Sequence, residues 1–242
     1  MIQACVGGGN RDEITMTMLD MVGEEHNKVL IVPSASRTVE IQQKGVQNIV
    51  RSLGALGINE DQVVCLHDFG ETPRKATVED RFEEASLVYI MGGNYTKLLD
   101  VITDPNSHIM ESLFNMENRD NAGLYGTSAG AIIQVALGQS QPIPNDIQST
   151  IDWDFQIVEG LSLGRGGDYA VCVHANKDEP HPQGAKNRRN EFSIQPTPKN
   201  VKRLILPNGV SFILPNSGYP EGLFIRSKSA LKSGQQGLIV TN

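Results

Sequence analysis

Short blocks of apolar residues recur along the first half of the chain. Between them, apolar positions return every third or fourth residue. Residues 2–6, 29–32, 63–66 and 87–91 form the blocks, while residues 14–22, 39–56, 78–85, 95–102 and 109–118 carry the helical spacing. Blocks of four or five apolar residues with no polar alternation suit strands buried on both faces. Their regular exchange with helical segments predicts an α/β fold, a mostly parallel sheet flanked by helices on both faces. The breaks between them are rich in glycine, proline and small polar residues: Gly7-Gly8-Gly9-Asn10, Pro33-Ser34-Ala35-Ser36, Gly57 and Gly92-Gly93-Asn94.

Beyond Leu137 the pattern loosens. Residues 138–154 read as a long polar connection containing proline, and residues 169–173 as a strand that ends at His174. Residues 177–189 are polar, and residues 185–194 have helical spacing. Arg203-Leu204-Ile205-Leu206 and Val210-Ser211-Phe212-Ile213-Leu214 flank Pro207-Asn208-Gly209, which predicts a C-terminal antiparallel hairpin. Phe224-Ile225 and Gly237-Leu238-Ile239-Val240 repeat the strand theme in the tail. With neither internal repeat nor linker, the expectation is one domain over residues 1–242.

Charge narrows the partners. Lys and Arg number 21 against 28 for Asp and Glu, a net charge of -7 with no compact basic run, which argues against nucleic acid and anionic membrane. No segment reaches the ~18 apolar residues of a membrane span, and the first residues lack the basic and apolar regions of a signal peptide. The three cysteines, Cys5, Cys65 and Cys172, each fall in an apolar block without C-x-x-C spacing, the pattern of reduced thiols in a reducing compartment. A soluble cytoplasmic protein without metal or cofactor is expected.

The candidate chemistry begins at Gly126-Thr127-Ser128-Ala129-Gly130. An apolar run (Leu124, Tyr125) enters this Gly-x-Ser-x-Gly and an apolar, helix-like run over residues 129–137 leaves it. That is the layout of a nucleophile elbow, in which the serine tops a strained strand-to-helix turn and glycines permit the close approach of strand and helix. Ala129 would then aim a backbone N–H at a developing oxyanion, with Gly92 or Gly93 as the second donor. Of five histidines, His174 is the preferred base because a strand end holds it, with His181 as competitor. Asp146 lies between Ser128 and His174 as the orienting acid, in competition with Asp152 and Asp154.

Ile90-Met91-Gly92-Gly93-Asn94-Tyr95-Thr96-Lys97-Leu98-Leu99 followed by Gly126-Thr127-Ser128-Ala129-Gly130-Ala131 resembles the peptidase E / cyanophycinase family of serine peptidases. The resemblance covers roughly residues 1–181. It implies a fold similar to flavodoxin and class I glutamine amidotransferase domains, with serine replacing the cysteine nucleophile. Carried over by position, it implies Ser128 as nucleophile, His174 as base, Asp146 as acid, and Gly93 and Ala129 as oxyanion donors. It further implies a small peptide or isopeptide substrate, with Gly92, Asn94, Arg188 and Arg189 at the substrate and Arg37 as another cation for an acidic residue. A homodimer is compatible with it. Ala175 stands where the family commonly has Phe, and the family's Gly/Arg-rich segment after the histidine is echoed by Gly184, Arg188 and Arg189.

Two rival readings compete. One is a non-catalytic binding module on the same fold. The other is a nucleotide-binding protein, prompted by Gly7-Gly8-Gly9 after the first strand, but Asp12 occupies the position of the last glycine of G-x-G-x-x-G. A turn beside the site is the expected role of those glycines.

Overall fold

The computed structural model describes residues 1–8, 12–23, 28–33, 38–66, 75–140, 156–175, 192 and 197–241. Two sheets lie among them. Five parallel strands, β1 (Ile2–Val6), β2 (Val29–Val32), β3 (Val63–Cys65), β4 (Leu87–Ile90) and β5 (Gly123–Thr127), take the order β3-β2-β4-β5-β1. Beside β1 the sheet continues antiparallel with β10 (Val210–Ile213) and β11 (Leu223–Arg226). The second sheet runs β12-β9-β8-β6-β7, from β6 (Leu137–Ser140), β7 (Gln156–Glu159), β8 (Tyr169–Val173), β9 (Lys202–Leu206) and β12 (Leu238–Val240). Within it, β6, β8 and β9 are parallel, whereas β7 and β12 are antiparallel edges.

The two-residue period of the strands sorts the core of the larger sheet onto two faces. Val29, Ile31, Leu87, Tyr89 and Tyr125 join Ile14, Met18 and Leu19 of α1 (Asp12–Val22) and Val46, Ile49 and Leu53 of α2 (Val39–Ala55). Leu30, Val32, Val88, Ile90 and Leu124 face the other way, with side chains of α3 (Lys75–Glu84), α4 (Tyr95–Thr103), α5 (Ile109–Met116) and α6 (Ala129–Gln134). That second cluster reaches Tyr169, Val171 and Val173 of β8 and Leu204 and Leu206 of β9, so one core joins the two sheets. The far face of β8 and β9 buries Ala170, Cys172 and Ile205 with Phe192.

Three expectations need correcting. Residues 203–206 and 210–214 do not pair with each other as a hairpin. β9 lies between β8 and β12, and β10 lies between β1 and β11, so Pro207-Asn208-Gly209 crosses from one sheet to the other. The C-terminal antiparallel hairpin is instead β10 with β11. The helix after the elbow stops at Gln134 rather than Leu137, because Leu137 already pairs with Glu159 and Ala170. The sheet of the α/β fold is therefore two sheets, both largely parallel. The helix expected over residues 185–194 falls outside the described residues except for Phe192.

The cysteines fall on β1, β3 and β8 and all are free thiols. Burial pushes the Cys5 thiol from 9.0 up to about 12, so its nucleophilic thiolate is scarce at any ordinary pH. In the native protein at pH 8, a maleimide is expected to modify the half-buried Cys65 first, and Cys5 and Cys172 only on unfolding. Mass mapping before and after denaturant checks the order; native labelling of Cys5 as fast as Cys65 would contradict it.

Candidate active site

The C-terminal ends of β1, β4, β5, β8 and β9 converge at one place. β5 ends at Thr127, and Ser128 follows with φ 53° and ψ -113°, a strained backbone for a residue with a Cβ. Ala129 opens α6, so its N–H is among the first-turn donors with no acceptor inside the helix. The glycines at either side of the serine have the predicted reason. A Cβ on Gly126 would strike the Gly130 carbonyl, and one on Gly130 would strike the Ile90 carbonyl. Strand, turn and helix are in backbone contact. Ser128 is half-buried, which leaves its hydroxyl within reach of a ligand.

The end of β1 is the template for the rest. Three consecutive carbonyls there accept backbone hydrogen bonds from three different segments. Val6 O accepts from Ser128 N–H at 3.1 Å, Gly7 O from His174 N–H at 3.1 Å, and Gly8 O from Gly209 N–H at 2.6 Å. Nucleophile, histidine and the sheet-crossing turn are thereby held one residue apart along a single strand end. Gly8 has φ 112°, and a Cβ there would lie 2.5 Å from His174 Cε1 and 2.8 Å from Asn208 Oδ1. The first glycines of the chain thus shape a turn against the site, as the sequence suggested for them.

His174 follows β8 with φ 55°. Its Nε2 lies 2.9 Å from Ser128 Oγ, and its Nδ1 lies 2.7 Å from Asn208 Oδ1. The second distance follows from strand pairing. β8 and β9 are parallel with Val173 opposite Leu206, so His174 and Asn208 leave neighbouring strand ends on the same side. Ala175 N–H on Leu206 O at 3.2 Å continues that pairing past the strand. Ser128, His174 and Asn208 are all half-buried.

On the other side of the serine stands the end of β4. Ile90 pairs with Gly126, and by continuation Gly92 reaches the level of Ser128. A Cβ on Gly92 would lie 3.0 Å from Ser128 Cβ, and Gly93 beyond it is exposed. Asn94 caps α4, its Oδ1 accepting from Lys97 N–H at 3.2 Å. Tyr95 donates its hydroxyl to the Glu159 carbonyl, fastening the start of α4 to β7. Burial, and then the nearby Glu159 carboxylate, push the Tyr95 phenol up, which keeps it a donor.

The model of Peptidase family S51 matches residues 4–192, which include both the elbow and the glycine pair after β4. The chain belongs to peptidase family S51. The fold of this S51 peptidase is similar to that of a peptidase from an acI-B1 Actinobacterium, at 17% identity and TM-score 0.63, covering 99% of this chain and 93% of that one. It is also similar to a peptidase E-type protein of Listeria monocytogenes EGD-e, at 15% identity and TM-score 0.56, covering 94% and 98%. No curated protein is significantly similar in sequence.

Of the residues expected at the site of this S51 peptidase, Ser128, His174, Gly92, Gly93, Asn94 and Ala129 stand together around the strand ends. Asp146, Asp152, Asp154, His181, Arg37, Arg188 and Arg189 lie outside the described residues. Asn208 was missed, because Pro-Asn-Gly between two apolar runs has the composition of an ordinary turn. Among the described residues, one group could approach a metal: Glu79, His108 and Glu111, with ligand atoms within 4.8 Å of one another. It belongs to α3 and the start of α5, where His108 already pairs with Glu111 at 3.4 Å. No described helix is long and apolar enough to cross a membrane.

Proposed function

We propose that this serine peptidase cleaves small peptides or isopeptides through an acyl-enzyme on Ser128, with His174 as general base and acid. The observation that carries the reading is the 2.9 Å contact between His174 Nε2 and the hydroxyl of a serine held at an elbow. Nε2 takes the Ser128 proton as Oγ bonds to the substrate carbonyl carbon. It then returns that proton to the leaving amine as the C–N bond breaks, and water repeats the sequence to release the acid. The N–H groups of Gly93 and Ala129 receive the oxyanion, and removing one such donor typically costs ~3 kcal/mol of transition-state stabilisation. No cofactor or metal has a part in these steps.

The resemblance to peptidase E and cyanophycinase directs the substrate search to dipeptides with N-terminal aspartate and to aspartate–arginine isopeptides. An acidic residue in the pocket needs a cation, and Arg188 or Arg189 would meet it. The test is a panel of Asp-Xaa, neutral Xaa-Xaa and β-aspartyl-arginine substrates, followed by mass spectrometry across pH 5–9. Hydrolysis is expected to fall on the acid side, because a protonated imidazole can no longer accept from serine. Arg188→Ala is expected to raise KM for the acidic substrates alone. A folded protein that cleaves none of the panel and takes no fluorophosphonate adduct would sink the reading in favour of a binding module.

A further inference from the structure

We infer that Gln134, which lies outside the reacting groups, is a positioning residue whose buried amide holds the nucleophile elbow against β1. The inference rests on the serine-peptidase reading for its chemistry, though not for its geometry. Gln134 closes α6, one turn beyond Gly130, and is wholly buried. From there its amide nitrogen Nε2 donates to Gly130 O and to Ala4 O, both at 3.2 Å. The first partner is the second glycine of Gly-x-Ser-x-Gly, and the other lies midway along β1. One NH2 thereby ties the helix behind Ser128 to the strand whose end accepts Ser128 N–H.

The elbow itself makes the space for this amide. A Cβ on Gly126 would lie 2.3 Å from Gln134 Nε2, besides striking the Gly130 carbonyl. The first glycine of the motif is therefore kept bare by the helix backbone and by the amide together. Nor can the amide turn over. Both partners are carbonyls and need the hydrogens of the NH2, so a flipped amide would set oxygen against oxygen. That directs Oε1 away from them, where among the described residues it has no hydrogen-bond partner.

Stability alone gives no reason for such a residue. A buried acceptor without a partner carries its full desolvation penalty, which an apolar side chain of similar volume would avoid. Ala4 lies inside the β1 pairing and Gly130 inside α6, and a carbonyl oxygen can accept twice, so neither depends on the amide alone. What an apolar side chain could not supply is a directional bond to the elbow. The backbone of Ser128, at φ 53° and ψ -113°, keeps its strain only where the surroundings over-determine it. Val6 O holds the serine from one side, and Gln134 holds the turn from the other.

The test compares wild type with Gln134→Met, apolar and of similar volume, and with Gln134→Leu. The readouts are Tm, the saturation kinetics of fluorophosphonate labelling at Ser128, and amide hydrogen exchange over residues 123–134. In Gln134→Met the maximal labelling rate is expected to fall ~10-fold or more, since displacing a reacting group by about 1 Å costs ~100-fold. The probe concentration at half-maximal rate is expected to hold, because the amide is buried beneath the elbow, and Tm to hold or rise. Exchange at Ser128, Ala131 and Ile132 is expected to quicken. A merely structural role would lower Tm and leave the maximal rate of the folded protein alone; that outcome, or a wild-type rate with wild-type exchange, would overturn the assignment. Should Gln134→Met not fold, Gln134→Leu carries the same test, and if neither folds the amide is a requirement of the fold and the positioning role falls. If wild type takes no label while elbow exchange still quickens in the variant, Gln134 positions the turn and the peptidase mechanism falls.

Discussion

Ser128→Ala is expected to lower kcat/KM at least ~10⁴-fold and to abolish fluorophosphonate labelling, with little change in Tm. The reasoning starts from what each group does alone. Ser128 Oγ is the only atom of that residue that differs from alanine. The features that hold the elbow, Ser128 N–H on Val6 O and Ser128 O accepting from Ala131 and Ile132, are backbone and survive the change. His174→Ala is expected to cost a comparable factor, because the serine hydroxyl, 2.9 Å from Nε2, would have lost the acceptor for its proton. Groups that act as one unit are not additive, so the double variant is expected to be no slower than the worse single one. Kinetics on any substrate the panel yields, with circular dichroism to confirm folding, check this. A double variant slower by the product of the two factors would mean that serine and histidine act independently, against a shared proton transfer.

Gly8→Ala is the second large effect, and its residue is one that carries no chemistry. At φ 112° an L side chain is strained, and the added Cβ would meet His174 Cε1 at 2.5 Å and Asn208 Oδ1 at 2.8 Å. Both neighbours are ends of side chains and can rotate away, so the fold should survive at a cost of roughly 1–3 kcal/mol. The site should not. A ring displaced by about 1 Å from Ser128 loses on the order of 100-fold in rate. The expected result is a folded protein, somewhat lower in Tm, with fluorophosphonate labelling reduced by at least that factor. Wild-type labelling in a folded Gly8→Ala would show that the ring is not held against this turn.

Much of the framework was legible because it is written locally. Apolar blocks without alternation mark strands buried on both faces, and β1, β2, β4, β5 and β8 lie where the pattern placed them. Gly126 announced the elbow because the collision it avoids is with Gly130, four residues on, whereas Gly130 itself is kept bare by Ile90 of the neighbouring strand. His174 could be chosen over the other histidines from its place at a strand end. Asn94 was less transparent. Expected at the substrate, its side chain is spent at least in part on capping α4, and an asparagine before a helical run signals a cap as readily as a ligand.

By itself, then, the sequence determined the parallel α/β frame, the serine at its elbow, the strand-end histidine and the glycine pair after β4. The tertiary structure alone decided that there are two sheets, that residues 203–206 and 210–214 part company between them, and that Asn208 in the crossing reaches the imidazole. An apolar run of four or five residues records that a strand is buried, since burial acts on each residue where it stands. It carries no record of which strand lies beside it. Partner choice is settled by cores assembled from distant segments, and the parallel pairing of β8 with β9 is what turns an ordinary Pro-Asn-Gly into a neighbour of His174.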